Sequence, residues 1–454
     1  MTSGALQATG ELPEVEWQRT FGGPGNDLSN FVRQTADGGY VVAARTQSSP
    51  GEPFDALLVR LDARGALAWE RRLGGPGEDL ARSVQEVPGG FVAAGSSDGR
   101  IALWKTDTEG TLEWHRLHGG ELGGTAYSVD RTRDGGLVLT GAAGGDLYLA
   151  RTGSGGDLLW ETFLGGDGTE VGASVVETLD GGFAVTGWTS SFGAGETDVY
   201  LLKTDGAGEL LWHRTFGGGE VDWGESVVET PEGDYVLAGS RDDEVFLART
   251  DASGNTLWES FLGGIEANAV SRSRGGGFVV GGLSATSRGD GTVVYVVKAT
   301  EGGDLEWAVS FEETGIGWSS SIQQTRDEGF IVCGSSRQRG ESFFDVLVLK
   351  LGEEMPPTVA FRRGDTGGDG VLDLSDAVFI LNFLFLGGPL PACEDAADTD
   401  DDGSWNITDA VFLLGFLFLG SSPPPPRFPE PGLDPTADRL GCGVDDRRLG
   451  IDVE

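Results

Sequence analysis

A short strand with a tryptophan at its centre recurs seven times, and nothing else in the chain limits the fold as tightly. The first copy is Val15-Glu16-Trp17-Gln18-Arg19-Thr20-Phe21, followed by Gly22-Gly23, and the others centre on Trp69, Trp114, Trp160, Trp212, Trp258 and Trp307. Successive tryptophans stand 52, 45, 46, 52, 46 and 49 residues apart. Self-similarity at such a period marks supersecondary units that cannot bury their apolar faces alone and must pack on their neighbours.

The order of parts inside one period sets the architecture. In the second, Ala81 to Glu86 alternates in polarity, Gly89-Gly90 turns the chain, and Phe91 to Gly95 is apolar. A loop leads to Ile101–Thr106, Asp107 to Gly110 turns again, and Trp114 lies on the run that follows. Four short β-type runs per repeat, with no helical period, predict a four-stranded propeller blade. The chain opens on a lone tryptophan strand, and the seventh repeat ends at Lys350 without one. The expected fold is therefore all-β, a seven-bladed β-propeller over 15–352 in which the N-terminal strand completes the last blade. Closure of this kind removes the unpaired edges of an open ring.

Elements that track the repeat are expected to serve the scaffold. A Gly-Gly pair is followed by an acid at Asp27, Asp79, Glu170 and Asp222, and Asp-x-x-Gly turns stand at Asp62, Asp107, Asp205 and Asp251. Short acidic side chains in turns accept hydrogen bonds from nearby backbone N–H groups. The seven tryptophans are expected between blades. His115, His118 and His213 are the only histidines, and they read as strand residues. The longer repeats carry their insertions between the second and third strands, as at Thr46 to Phe54 and Thr189 to Thr197. Those loops emerge on one face, where binding is expected on a rigid scaffold.

The repeats resemble those of bacterial secreted propeller proteins. The motifs that carry the likeness are Asp37-Gly38-Gly39-Tyr40, Asp134-Gly135-Gly136-Leu137, Asp180-Gly181-Gly182-Phe183 and Gly156-Asp157-Leu158-Leu159-Trp160. The Gly-x-x-x-Trp strand is also similar to that of quinoprotein propellers, but no adjacent cysteine pair accompanies it. The resemblance implies a fold, not a chemistry.

Composition narrows the partners. Acids outnumber Lys plus Arg by 72 to 32, a formal charge of −40, which disfavours nucleic acid and anionic membrane. The apolar runs Ala377–Leu386 and Ala410–Leu419 are too short to span a bilayer. Residues 1–14 read as a tail with no signal peptide. Cys333 falls in an apolar strand and is expected in the core, while Cys393 and Cys442 either pair or stay free.

Beyond a linker at 353–360 the pattern changes. Residues 361–422 hold two loops 33 residues apart, and 423–454 is a proline-rich extension. The second loop runs from Asp398 to Asp409. Its spacing offers carboxylates from Asp398, Asp400 and Asp402, the carbonyl of Ser404, Asn406 directly or through water, and Asp409 to close the shell. Gly403 stands where such a loop must turn sharply. The first loop offers Asp365, Asp369, the carbonyl of Val371, Asp373 and Asp376, with Gly367 in place of one ligand. Calcium, two ions in all, is the expected cofactor, held more weakly at the first loop.

Each loop opens a similar apolar helix, Asp376 to Gly387 and Asp409 to Gly420, with the terminal glycines as expected caps. The duplicated loop-plus-helix resembles a type I dockerin. That resemblance implies a calcium-folded module, a cohesin-like or cell-surface protein receptor, and an extracellular setting. The expected function is non-enzymatic: the propeller recognises a glycan or protein ligand, and the small α-helical calcium-loop domain anchors or assembles it. The alternative is a dockerin-bearing carbohydrate-active enzyme of polysaccharide degradation, a glycoside hydrolase or polysaccharide lyase, with acids at the channel mouth. No catalytic set stands out from the repeat.

Overall fold

Residues 15–351 form seven four-stranded antiparallel sheets, each meandering outward from an innermost strand. We analysed a computed structural model, which describes residues 12–338, 341–352, 362–368, 370–389, 391, 393–425 and 428–429. The chain divides into a unit spanning 14–353 and a second unit that includes everything from 354 onward.

The first blade shows the plan. Asp27–Gln34 lies innermost, followed by Tyr40–Thr46, Asp55–Leu61 and Leu67–Leu73. The two middle strands of each blade are buried on both faces, so they read as nearly continuous apolar runs rather than alternating ones. Innermost strands of successive blades touch all the way round, and Asp27–Gln34 meets Ile316–Gln324 to complete the circuit. The ring is therefore closed.

The closing strand is the one expected. Val15–Phe21 pairs antiparallel with Asp345–Leu351, with Trp17 opposite Lys350 and Phe21 opposite Val346. Gly352 N–H donates to the carbonyl of Glu14 at 2.8 Å. Lys350, almost fully buried, sets its ammonium 3.5 Å from Glu16 and 3.3 Å from Asp327. The seventh blade is thus three strands from one end of the ring sequence and one from the other.

The repeated motifs meet across blade boundaries. The indole of Trp17 lies on Gly65, Trp69 on Gly110, Trp114 on Gly156, Trp160 on Gly208, Trp212 on Gly254 and Trp258 on Gly303. Each of these glycines ends an Asp-x-x-Gly-type turn of the next blade at positive φ, where a Cβ would be strained and would meet the indole. Blade tryptophans also face the aromatic after an Asp-Gly-Gly-type turn: Trp17 with Tyr40, Trp160 with Phe183 and Trp307 with Phe330, at 5.7, 5.7 and 6.3 Å. Such pairs contribute about 0.5–1.5 kcal/mol beyond the area they bury.

The repeat acids act inside their own loops. Asp27, Asp79, Glu170 and Asp222 are buried and accept from the N–H of Gly23, Gly75, Gly166 and Gly218 at 2.7, 2.8, 2.8 and 3.0 Å. Asp62 accepts from Arg64 and Ala66, both at 2.8 Å. His115 stacks on Trp104 at 5.3 Å, and His213 packs on Phe192 and Tyr200. Burial pushes His115 and His118 below the ordinary histidine value. Cys333 is a free, buried thiol that burial pushes up to about 12, as befits an inert core residue.

The second unit contains α1 (Leu374–Leu386), a single turn α2 (Glu394–Ala397) and α3 (Ile407–Leu414), which runs on into a π turn at Gly415–Leu419. Gly387 and Gly420 take the left-handed cap conformation at φ 68° and 69°. The two helices are similar in sequence, but α1 has Asn382 where the other has Gly415, and the α-helix gives way there. Glycine is a poor helix former because its backbone loses the most freedom. Ile380, Ala397 and Ala410 form the core between α1 and α3, with Trp405 over it. Asp369, Cys442, most of 423–454, the linker 353–360 and residues 1–11 lie outside the described residues.

Candidate functional site

Each innermost strand carries a β-bulge at the same place. The register shifts between Ser29 and Phe31, Ala81 and Ser83, Ala126 and Ser128, Gly172 and Ser174, Gly224 and Ser226, Ala267 and Ala269, and Ser319 and Ser321. A bulged residue has no partner across the ladder and can be re-aimed. The seven skipped residues are Asn30, Arg82, Tyr127, Ala173, Glu225, Asn268 and Ser320, and all seven line one cavity of about 260 Å³ in the central channel.

This ring of bulges is where the repeat stops repeating. Except for Phe31, the flanking residues are Gly, Ala or Ser, and an aliphatic follows shortly after in every blade. The bulged residues themselves include an arginine, a tyrosine, a glutamate and two asparagines. Sequence reading missed them because it sought repeated features. The signal was present: a variable residue before serine in Arg82-Ser83, Tyr127-Ser128, Ala173-Ser174, Glu225-Ser226 and Ser320-Ser321.

Charge is distributed unevenly around the cavity. Arg45 and Arg82 line it from the first and second blades. Arg82 reaches the side-chain oxygen of Asn30 at 3.4 Å and lies over the ring of Tyr127 at 5.2 Å. Burial, then the neighbouring Arg82, lowers Arg45 to about 10. On the fifth blade, burial and the nearby Glu266 push Glu225 up to about 8, against the pull of Arg82. Tyr127 continues into an aromatic run with Trp188 at 6.1 Å and, beyond it, Trp223 at 4.8 Å.

The insertions are tied to the loops that join blades. Gln47 N–H donates to Asn26 O at 3.0 Å, and Asp79 N–H to Phe54 O at 2.8 Å. Ser190 N–H donates to Thr169 O, and Asp222 N–H to Thr197 O, at 2.9 and 2.8 Å.

In the helical unit the two loops share their internal bonding. Asp365 accepts from Gly370 N–H at 2.8 Å, and Asp398 from Gly403 N–H at 2.9 Å. Thr366 and Thr399 donate to the carbonyls of Asp376 and Asp409 at 2.9 and 2.7 Å. Asp373 and Asn406 cap α1 and α3, accepting from Ser375 and Thr408 at 2.7 and 3.0 Å.

The second loop brings Asp398, Asp400 and Asp409 together, with oxygens within 4.8 Å of one another. One oxygen of Asp400 is buried with no hydrogen-bond partner. Burial, then Asp400 and Asp398, holds Asp409 up at about 7. Asp402 is exposed and Asn406 spends its oxygen on the cap, so neither joins that group. Asn406 also donates to the carbonyl of Ser404 at 2.8 Å. Arg363, fully buried, braces the loop through Asp401 at 2.9 Å and the carbonyl of Asp398 at 2.7 Å. The three clustered carboxylates are hard oxygen donors of the kind Ca²⁺ takes. In the first loop no such cluster occurs among the described residues, and Val371 is exposed.

Cys393 is disulfide-bonded. No helix among the described residues is long and apolar enough to cross a membrane.

No protein-family model matches the chain, and no curated protein matches it. Among solved structures it is similar to the Neurospora crassa Pan2 WD40 domain, at 10% identity and TM-score 0.48, over 72% of this chain and 89% of that one. It is similar to the Dos1 propeller at 12% identity and TM-score 0.48, over 76% of this chain and 97% of that one.

Proposed function

We propose that the ring is a non-enzymatic recognition scaffold whose ligand enters the central channel. The observation that carries this reading is the bulge ring: seven equivalent positions, set by one backbone device, hold seven side chains chosen without regard to the repeat. Scaffold positions in the same strands keep the repeat pattern. A rigid frame bearing a non-repeating cluster of polar and aromatic groups is how a binding site is built on a repeat fold.

The helical unit, in the same proposal, binds calcium and serves as a dockerin-like anchoring or assembly module. Asp398, Asp400 and Asp409 would hold the ion in the second loop, with Asp402, Asn406 and the Ser404 carbonyl drawn in or bridged by water. Asp365, Asp369, Asp373, Asp376 and the Val371 carbonyl would form the weaker site. The acidic cluster and the matched bonding of the two loops support this. A cohesin-like or cell-surface receptor and an extracellular setting follow from the dockerin resemblance.

The test is a glycan and peptide array probed with the full chain and with Ala173→Trp, which fills the channel from a bulge position. Binding lost in the filled variant is the expected result. Binding that survives filling would move recognition elsewhere. Sustained release of reducing sugar, abolished by a single acid substitution, would replace a binding protein with an enzyme.

A further inference from the structure

The walls of the channel carry opposite charge. Arg45 and Arg82 belong to the first two blades, whereas Glu225 lines the cavity from the fifth, with Glu266 of the sixth near it. In a closed ring of seven these pairs stand across the axis from each other. Acids outnumber bases 72 to 32 in this chain, yet among the described residues neither Arg45 nor Arg82 has a carboxylate within ion-pair distance. The Nε of each is buried without a hydrogen-bond partner. Glu225 likewise forms no ion pair among the described residues, although it lines the same cavity.

We infer that the channel holds a small zwitterion, its carboxylate toward Arg45 and Arg82 and its ammonium toward Glu225, in the manner of an amino acid or a short ω-amino acid. The inference rests on the proposal that the channel is the binding site. A simple anion would satisfy the arginines but leave Glu225 holding its proton and unused, whereas an ammonium beside that carboxyl draws it to ionise. A simple cation would meet the arginines instead. Only an occupant with both charges relieves both walls, and a charge that loses its partner in a desolvated site is costly. The cavity of about 260 Å³ limits size. It falls below the roughly 300–1,000 Å³ typical of pockets for drug-sized ligands. Asn30 and Tyr127 stand beside the arginines to orient the carboxylate end. The cation already lying over Tyr127 is Arg82 itself, so that ring is not free to receive the ammonium.

Isothermal titration of the full chain with glycine, β-alanine, 4-aminobutyrate and 6-aminohexanoate reads the charge separation directly. Butyrate and butylamine serve as single-charge controls. One chain length should bind at least about tenfold tighter than either control, and Glu225→Gln and Arg82→Met should each weaken it by about tenfold or more. Should Arg82→Met fail to fold, the Glu225→Gln variant and the length series still decide. Equal binding of zwitterions and controls, or binding indifferent to both variants, would overturn the inference. If a neutral glycan or peptide is instead lost on filling with Ala173→Trp, the charge assignment falls and the channel reading stands. If filling blocks no ligand at all, both fall.

Discussion

The indole of Trp17 lies so close on Gly65 that a Cβ there would sit 2.8 Å from its ring carbons. The contact joins the last blade to the first. Trp17 is on the strand that completes the seventh sheet, and Gly65 is in an outer turn of the first. Arg19, from the same strand, stacks on Trp17 at 5.6 Å and reaches the carbonyl of Arg64 at 3.5 Å. The seam is therefore built like the other blade boundaries, although no peptide bond links the third and fourth strands of its last sheet.

Gly65→Ala tests that seam against a matched control. Both Gly65 and Gly51 have positive φ, 76° and 86°, but Gly51 has nothing within 4 Å of an added Cβ. Gly51→Ala is expected to lose only the left-handed penalty of about 1–2 kcal/mol. Gly65→Ala adds a clash with an aromatic wall and should lose a further 1–3 kcal/mol, roughly. Urea unfolding followed by tryptophan emission measures both. Equal losses would mean that the indole does not confine Gly65.

Glu225 gives the ring a pH dependence of unusual sign. Burial, then Glu266, raises its carboxyl from 4.5 to about 8 in the folded chain. Between those values the folded protein keeps a proton that the unfolded chain has released, so stability falls as pH rises through this window and levels off above it. Glu225→Gln cannot ionise. Its melting temperature should gain on the parent between about pH 5 and pH 8 and hold a constant lead above that. A constant difference across the whole range would show that Glu225 does not keep its proton through this window.

Much of this architecture is legible in the residues. The seven tryptophans, the Gly-Gly acids and the Asp-x-x-Gly turns recur, and recurrence exposes structural duty without any view of a contact. Asp27 and Asp222 were separable from catalytic acids for that reason alone. The channel was not legible, because it depends on a bulge. Asn30, Arg82 and Glu225 sit in alternating strands where the pleat alone does not say which residue is skipped. The charge opposition of Arg82 and Glu225 also needs the ring order, which no local pattern contains. In the helical unit the loop spacing marked Asp398, Asp400 and Asp409. It did not show that Asn406 commits its oxygen to capping α3, a competition set by helix geometry.

Calcium has its own test. Chelation of the full chain is expected to reduce the helical signal at 222 nm and leave the melting of the sheets in place, with added Ca²⁺ restoring it. Asp400→Asn removes a charge from the cluster and should weaken the Ca²⁺ response by roughly tenfold or more. A helical signal identical with and without the ion, at every concentration tried, would remove calcium from the account.

The closure of the ring by Val15–Phe21 underlies the preformed channel and everything proposed for it. Its most direct measurement is the thermal melt of a chain beginning at residue 24, alone and with a synthetic peptide spanning residues 12–23. The truncated chain should lose the parent's cooperative transition, and the peptide should restore it by pairing with Asp345–Leu351. A truncated chain that melts as the parent does, without the peptide, would contradict the closure.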